Sequence, residues 1–176
     1  MSFLNEIRNF FHFFRRITFH RLLNVIKLRL SYFYSINTKT YSHKGFPESL
    51  TIEPTNTCNL KCIECPVGQN KLTRPKGNIS VELLRKILDE IGPYIFHLNL
   101  YFQGEPFLHK NMFELIKLAH QKKIYITIST NGHFLTNETI AQILAKKPDR
   151  LIISIDGITQ ETYEKYRKGG NLKKVL

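Results

Sequence analysis

From residue 49 onward the apolar positions of this chain alternate between two periods. "SLTIEP" (49–54) is a short β-rich run, and "IFHLNLY" (95–101), "IYITIST" (124–130) and "RLIISID" (150–156) follow it as further strand-like segments. Between them, apolar residues recur at helical spacing in "SVELLRKILDEI" (80–91), "MFELIKLAHQKK" (112–123) and "NETIAQILAKK" (137–147), and "TQETYEKYRKG" (159–169) opens a fourth helix. Ser80 is placed to cap the first of these helices, Asn137 begins the third, and the basic end of 112–123 suits the helix dipole. Alternation of this kind predicts βαβ units and a parallel sheet.

Residues 1–45 read differently. Phe3, Leu4, Ile7, Phe10, Phe11, Phe14 and Ile17 share one arc of a helical wheel; Arg8, Arg15 and Arg16 lie on another, with His12 between. That is a basic amphipathic helix. Two readings are open for it: packing on the rest of the chain, which we favour, or contact with an anionic membrane surface. "YSHKGFPESL" (41–50) reads as the linker to a second unit, residues 46–176.

Composition narrows the class. With 42% hydrophobic and 23% charged residues the chain is globular, and its formal charge is +12. Residues 1–50 hold 8 Lys and Arg against 2 acidic groups. The excess points to polyanionic partners without choosing among them. No stretch is long and apolar enough for a membrane span, and the start of the chain lacks the pattern of a secretory signal, so a cytoplasmic location is expected.

The chemistry-bearing residues all follow strands. Cysteines follow the first, "QGEP" the second, "TNG" the third and "DG" the fourth. In parallel α/β proteins ligands bind at the carboxyl ends of strands, so these clusters converge on one rim. The three cysteines, Cys58, Cys62 and Cys65, are spaced C-x3-C-x2-C. Three thiols within eight residues do not make a disulfide framework. A zinc site would need an outside ligand such as His43 or His97, and a zinc knuckle gives the strand-end motifs no role, so no nucleic-acid partner is expected. Three thiolates can instead hold three irons of a [4Fe–4S] cluster and leave the fourth open.

On these residues the chain resembles the radical S-adenosylmethionine (SAM) superfamily. "CNLKCIEC" matches the cluster loop after the first strand, "QGEP" the GGEP-type motif with Gln103 in place of a glycine, and "STNG", "SIDG" and "YRKGG" match later elements. The nearest likeness is to the branch that often carries a SPASM extension. The resemblance covers about residues 49–176 and implies an incomplete (β/α)6 barrel of about four βα units, lacking the last strands, with the chain a fragment or one part of a longer protein. It implies a [4Fe–4S] cluster on Cys58, Cys62 and Cys65, and SAM on the open iron. Reductive cleavage then gives a 5′-deoxyadenosyl radical that takes hydrogen from a substrate, a peptide or a small molecule. The electron comes from a flavodoxin- or ferredoxin-type donor. The alternative is a non-catalytic remnant that binds metal or a partner.

The resemblance also assigns residues. Gly104, Glu105 and Pro106, with Gln103 beside them, match the cradle for the SAM amino group. Ser129 and Asn131 line the same rim, against the alternative of a plain turn at Asn131–Gly132. Ser154 meets the ribose or methionine part; Asp156 meets SAM or bonds to the turn at Gly157. Arg167 matches an arginine that pairs with the SAM carboxylate, while Lys165 and Lys168 are surface charge. Glu64 stands where many members of that family carry an aromatic residue near adenine, a departure from the family pattern.

Overall fold

Four short strands lie side by side in the order in which the chain makes them. The computed structural model describes Phe14 and residues 16–176. Strands β1 (Ser49–Thr51), β2 (His97–Asn99), β3 (Tyr125–Thr130) and β4 (Arg150–Ile153) form one all-parallel sheet in the order β1-β2-β3-β4. Helices α2 (Val81–Ile91), α3 (Met112–Gln121) and α4 (Asn137–Lys146) each join one strand to the next, and α5 (Gln160–Tyr166) follows β4. Among the described residues, helix α1 (Phe19–Thr38) precedes β1.

Register explains the two faces of the sheet. Leu50 pairs with Leu98, Leu98 with Ile126, and Ile128 with Leu151. These side chains share one face and pack with Leu84, Leu88, Leu115, Ile116 and Ala119 of the helices in the core. The alternate positions Thr51, Asn99 and Thr127 share the other face, where Asn99 Nδ2 donates to Thr51 Oγ1 at 3.1 Å. Polar side chains are tolerated there because they find one another. Caps define the helix starts: Ser80 accepts from Leu83 N, Thr136 from Thr139 N, and Thr159 and Thr162 make a reciprocal capping box.

The strands are shorter than the apolar runs that predict them. Beyond β1 the chain leaves the sheet at Pro54, whose carbonyl accepts from Ile79 N at 2.9 Å, and Thr55 bridges to Asn78. Proline has no N–H to continue a ladder. Leu100–Tyr101 and Ser154–Asp156 likewise lie past the ends of β2 and β4. Helix α3 ends at Gln121 because Lys123 takes a left-handed backbone, φ 56°, to turn into β3. Helix α5 ends at Tyr166, short of the predicted 169.

At the amino end of the domain, the stripe read over residues 3–17 lies outside the described residues apart from Phe14, Arg16 and Ile17. Helix α1, which follows it, packs through a polar face. Arg21, Asn24, Ser31 and Ser35 recur at three- and four-residue spacing on that face, with Leu28 among them. Arg21 is 1% exposed; its guanidinium donates to the carbonyls of Lys122 (2.8 Å), Lys123 (2.9 Å), Gly92 (3.3 Å) and Arg16, and lies over the Phe96 ring. Gly92 and Lys122 are the C-caps of α2 and α3, where carbonyls lack helical partners and carry the negative end of the dipole. Arg16 adds an ion pair to Asp149, whose other oxygen accepts from Ile126 N.

Residues 41–50 are not a loose connection. Asn24 and Phe46 exchange two hydrogen bonds, amide to backbone, at 2.7 and 2.9 Å, and Ser35 and Ser42 exchange another pair at 2.9 Å. Phe46 stacks on Tyr94 at 4.4 Å. The segment is strapped along α1 and enters β1 at Ser49, because polar side chains of the helix satisfy its backbone groups.

Candidate functional site

The cysteines occupy the loop that leaves β1, held from two sides. Lys61 N donates to Lys168 O at 2.9 Å and Ile63 N to Tyr166 O at 3.2 Å, so the loop runs against the end of α5. That strap sets Arg167 beside the cysteines. On the other side Glu105 N donates to Thr57 O at 2.8 Å. A Cβ on Gly104 would fall 1.9 Å from the Thr55 carbonyl oxygen, so only glycine lets the two loops approach this closely. Gly68 has the same role inside the loop: a Cβ there would meet Cys62 N at 2.6 Å.

Glu105 ties the rim together. Its Oε1 accepts from Thr130 Oγ1 at 2.7 Å and its Oε2 from Asn131 N at 2.8 Å; both bonds are buried. Burial pushes the Glu105 carboxyl above its ordinary value, against the pull of these donors and of Arg167. Asn131 in turn donates from Nδ2 to Asn59 Oδ1 at 2.8 Å and to Cys58 Sγ at 3.7 Å. The chain Glu105–Asn131–Cys58 links the ends of three loops. Ser129 and Ser154 hydroxyls lie 3.3 Å apart across β3 and β4. Cys65 Sγ donates to Gln103 O at 3.8 Å, and Glu53 Oε1 accepts from Gln103 N at 3.1 Å.

These groups surround a cavity of about 230 Å³. Cys58, Cys62, Cys65, Gln103, Gly104, Glu105, Ser129, Asn131, Ser154 and Arg167 line it. Pro106 and Asp156 do not. Pro106 is buried at the start of the 3₁₀ turn Pro106–Leu108, which Glu105 caps. Asp156 pairs with Arg167 Nε at 2.5 Å, and this bond, rather than one to the Gly157 turn, is where its carboxylate is engaged. Among the described residues the terminal amino groups of the Arg167 fork donate to no side chain or carbonyl. Lys165 pairs with Glu161 on the surface, at 3.3 Å.

All three cysteines are free thiols. Burial raises the Cys58 and Cys62 thiols above their ordinary value; Arg167 pulls Cys62 back down. Among the described residues no three His, Cys, Asp or Glu side chains gather closely enough to hold a single ion. The sulfurs ring a cavity instead of meeting at a point, which suits a multi-iron cluster with one thiolate per iron better than tetrahedral zinc. His97 is engaged elsewhere, its Nε2 2.7 Å from Thr127 Oγ1.

Tyr101, Phe102, Thr130 and Tyr166 also line the cavity; Thr130 and Tyr166 stand within the STNG and YRKGG motifs but carry no individual assignment from the sequence. Tyr101 and Phe102 directly precede Gln103, so position was an available signal. The part Thr130 plays within its motif, donating to Glu105, belongs to the tertiary structure.

Comparison with known proteins agrees with this architecture. Residues 52–176 match the model of the Radical SAM superfamily. The AdoMet-dependent heme synthase of Methanosarcina barkeri is 28% identical over 121 residues, covering 69% of this chain and 34% of that protein. Mycofactocin maturase MftC of Mycobacterium ulcerans is 32% identical over 126 residues, covering 71% of this chain and 33% of that protein. The solved structure of native anSMEcpe with bound AdoMet superposes with a TM-score of 0.59 at 28% identity, over 73% of this chain and 38% of that one. The chain belongs to the radical SAM superfamily, whose enzymes use a [4Fe–4S] cluster and S-adenosylmethionine. It spans about a third of the length of these curated relatives.

Proposed function

We propose that this chain is the cluster- and SAM-binding part of a radical SAM enzyme that abstracts hydrogen from a peptide or small-molecule substrate. The observation that carries the reading is the single cavity in which three free thiols meet the ends of all four strands. When bound, the cluster and SAM supply a one-electron cleavage of the sulfonium C–S bond and a 5′-deoxyadenosyl radical.

The chain's own residues hold and orient these groups. Cys58, Cys62 and Cys65 ligate three irons as thiolates, losing protons that burial otherwise retains on Cys58 and Cys62. Gln103, Gly104 and Glu105 offer backbone carbonyls to an ammonium, and Pro106 fixes the turn behind them. The side chain of Glu105 already holds Thr130 and Asn131, so its part is to fix the rim. Asn131 supports Cys58, and the Ser129 and Ser154 hydroxyls face the ribose or methionine portion. Asp156 holds Arg167 by Nε, which leaves the terminal fork for the SAM carboxylate. The electron donor is a small acidic redox protein of flavodoxin or ferredoxin type, which the net charge of +12 favours. A reducing compartment, the cytoplasm, suits three free thiols. No helix among the described residues is long and apolar enough to cross a membrane.

Anaerobic reconstitution tests the reading. The protein should take up about four irons per chain, as this cluster type requires, and SAM should alter the electron paramagnetic resonance signal of the reduced protein. Stoichiometric zinc without visible absorption would refute the cluster. Iron uptake with no response to SAM would favour the remnant.

A further inference from the structure

Helix α1 is amphipathic the wrong way round for a helix packed on its own protein. The face turned inward carries Arg21, Asn24, Ser31 and Ser35, all bonded to backbone. The opposite face carries Phe19, Leu22, Leu23, Ile26, Leu30 and Phe33 at the same three- and four-residue spacing. All six are exposed; Phe19 is 71%, Leu30 64% and Phe33 69% accessible. A stripe this long, open to solvent, marks an interaction surface.

Beside the stripe lies a second feature. A cavity of about 370 Å³ opens between α1 and its strap, lined by His20, Leu23, Lys27, Lys44, Phe46 and Tyr94, with Asn24 and Gly45 at its base. Three of its walls are basic, none is acidic, and Leu23 belongs to both stripe and cavity. Gly45 has φ +113°, and a Cβ there would meet Asn24 Oδ1 at 2.8 Å, so the strap's close approach, and with it the cavity, depends on glycine. On the other flank of the stripe stands Arg29, 71% exposed by side chain and paired with Glu48 at 3.3 Å, a surface pair that leaves most of the guanidinium open to solvent.

We propose that α1 docks this protein on an anionic phospholipid surface, the stripe lying at the acyl boundary and the basic cavity taking a lipid phosphate. An apolar stripe flanked on both sides by basic groups is the pattern of an interfacial helix. Charge selects this occupant. A second copy laid stripe to stripe would bring Lys27 and Lys44 towards their own kind in a molecule of charge +12; an anionic surface neutralises them. Position is compatible with the proposed chemistry. Arg21 fixes α1 over the C-terminal ends of α2 and α3, which precede β2 and β3, whereas the cysteine cavity lies beyond the opposite ends of the strands. Docking therefore leaves the cavity unobstructed.

Co-sedimentation of the 176-residue protein with phosphatidylcholine vesicles, with and without phosphatidylglycerol, tests this. Binding should require phosphatidylglycerol and weaken with salt. Leu22→Glu and Ile26→Ser should each reduce it, the first by about ten-fold or more, with melting temperatures unchanged because these side chains project outward. Lys27→Glu and Lys44→Glu should each cost about five-fold or more; Lys165→Glu, on the far side, should bind as wild type does. Equal binding to both vesicle types, indifference to Leu22→Glu and Ile26→Ser, or failure to bind either vesicle would overturn the proposal. So would a dimer in solution that Leu22→Glu dissociates, or tight binding of inorganic phosphate by protein that ignores vesicles. None of these readouts depends on iron or SAM, so the outcome is independent of the proposed enzyme activity.

Discussion

Arg21 and Arg167 stand at opposite ends of the same sheet and are used in opposite ways. Arg21 is buried and spends its fork on four carbonyls, two of them at helix C-caps. Arg167 is 14% exposed by side chain, with one bond through Nε and its guanidinium over the Tyr166 ring; among the described residues its terminal groups donate to no side chain or carbonyl. The first charge is consumed by the fold. The second is held in place but left with capacity to bind. The same side chain is structural or functional according to how many of its five donors the protein itself satisfies. The carboxylates follow the same rule: Glu105 has both oxygens engaged and Asp156 holds one arginine nitrogen.

The comparison can be broken most severely at Arg21. Arg21→Met leaves carbonyls of Gly92, Lys122 and Lys123 without a donor and should cost about 3 kcal/mol or more, a fall of about 6–12 °C in melting temperature. Iron uptake per folded molecule should not change. If stability is retained, the fork is not what holds α1 to the domain. Cys62→Ser should do the reverse: most iron lost, with the apoprotein's denaturation midpoint close to wild type.

Arg167→Lys should weaken SAM binding by about ten-fold or more, because a hydrogen bond between charged groups is worth about 1.5 kcal/mol or more. Asp156, its partner, is 42% exposed, so the pair is partly screened and stability should change by no more than about 1 kcal/mol. Calorimetry with the reconstituted protein reads the first quantity and urea unfolding the second. Equal SAM affinity in mutant and wild type would make Arg167 a second structural arginine.

The smallest effect concerns Glu105. Burial holds its carboxyl above the ordinary range, so the folded protein keeps this proton to higher pH than the unfolded chain. Its contribution to stability is full below the unfolded carboxylate pKa and is lost as pH rises through the raised folded value. Wild type should therefore lose stability relative to Glu105→Gln across that window, in urea midpoints taken at stepped pH. Parallel curves would show that the donors from Thr130, Asn131 and Phe107 cancel the burial.

The two ends also differ in how much their sequence disclosed. The rim was readable because each cluster lies at or just past the end of a strand: Cys58, Gln103, Ser129 and Ser154 each stand there, which already says that these residues share one edge of a parallel sheet. Bond partners were not readable. Asp156 looked equally suited to SAM and to the Gly157 turn, and only the path of α5 back along the cysteine loop shows that it meets Arg167. Pro106, assigned with its motif, lies behind the cavity instead of on it. At the other end, polar Arg21, Asn24 and Ser35 do not look like a packing face, because polar residues pack inward only where backbone groups wait for them.

Local order therefore belonged to the sequence: the helix cap at Ser80, strands from alternation, cysteine spacing, and the excess of Lys and Arg before residue 50 are all properties of near neighbours along the chain. Tertiary structure alone decided which charges are spent and which are left over. Arg21 meets Lys122 and Lys123 across about a hundred residues, and Glu105 reaches Thr130 and Asn131 only after β2 and β3 have paired. Hydrogen bonds and burial are set by distance in space, and no periodicity along the chain encodes the distances that folding creates.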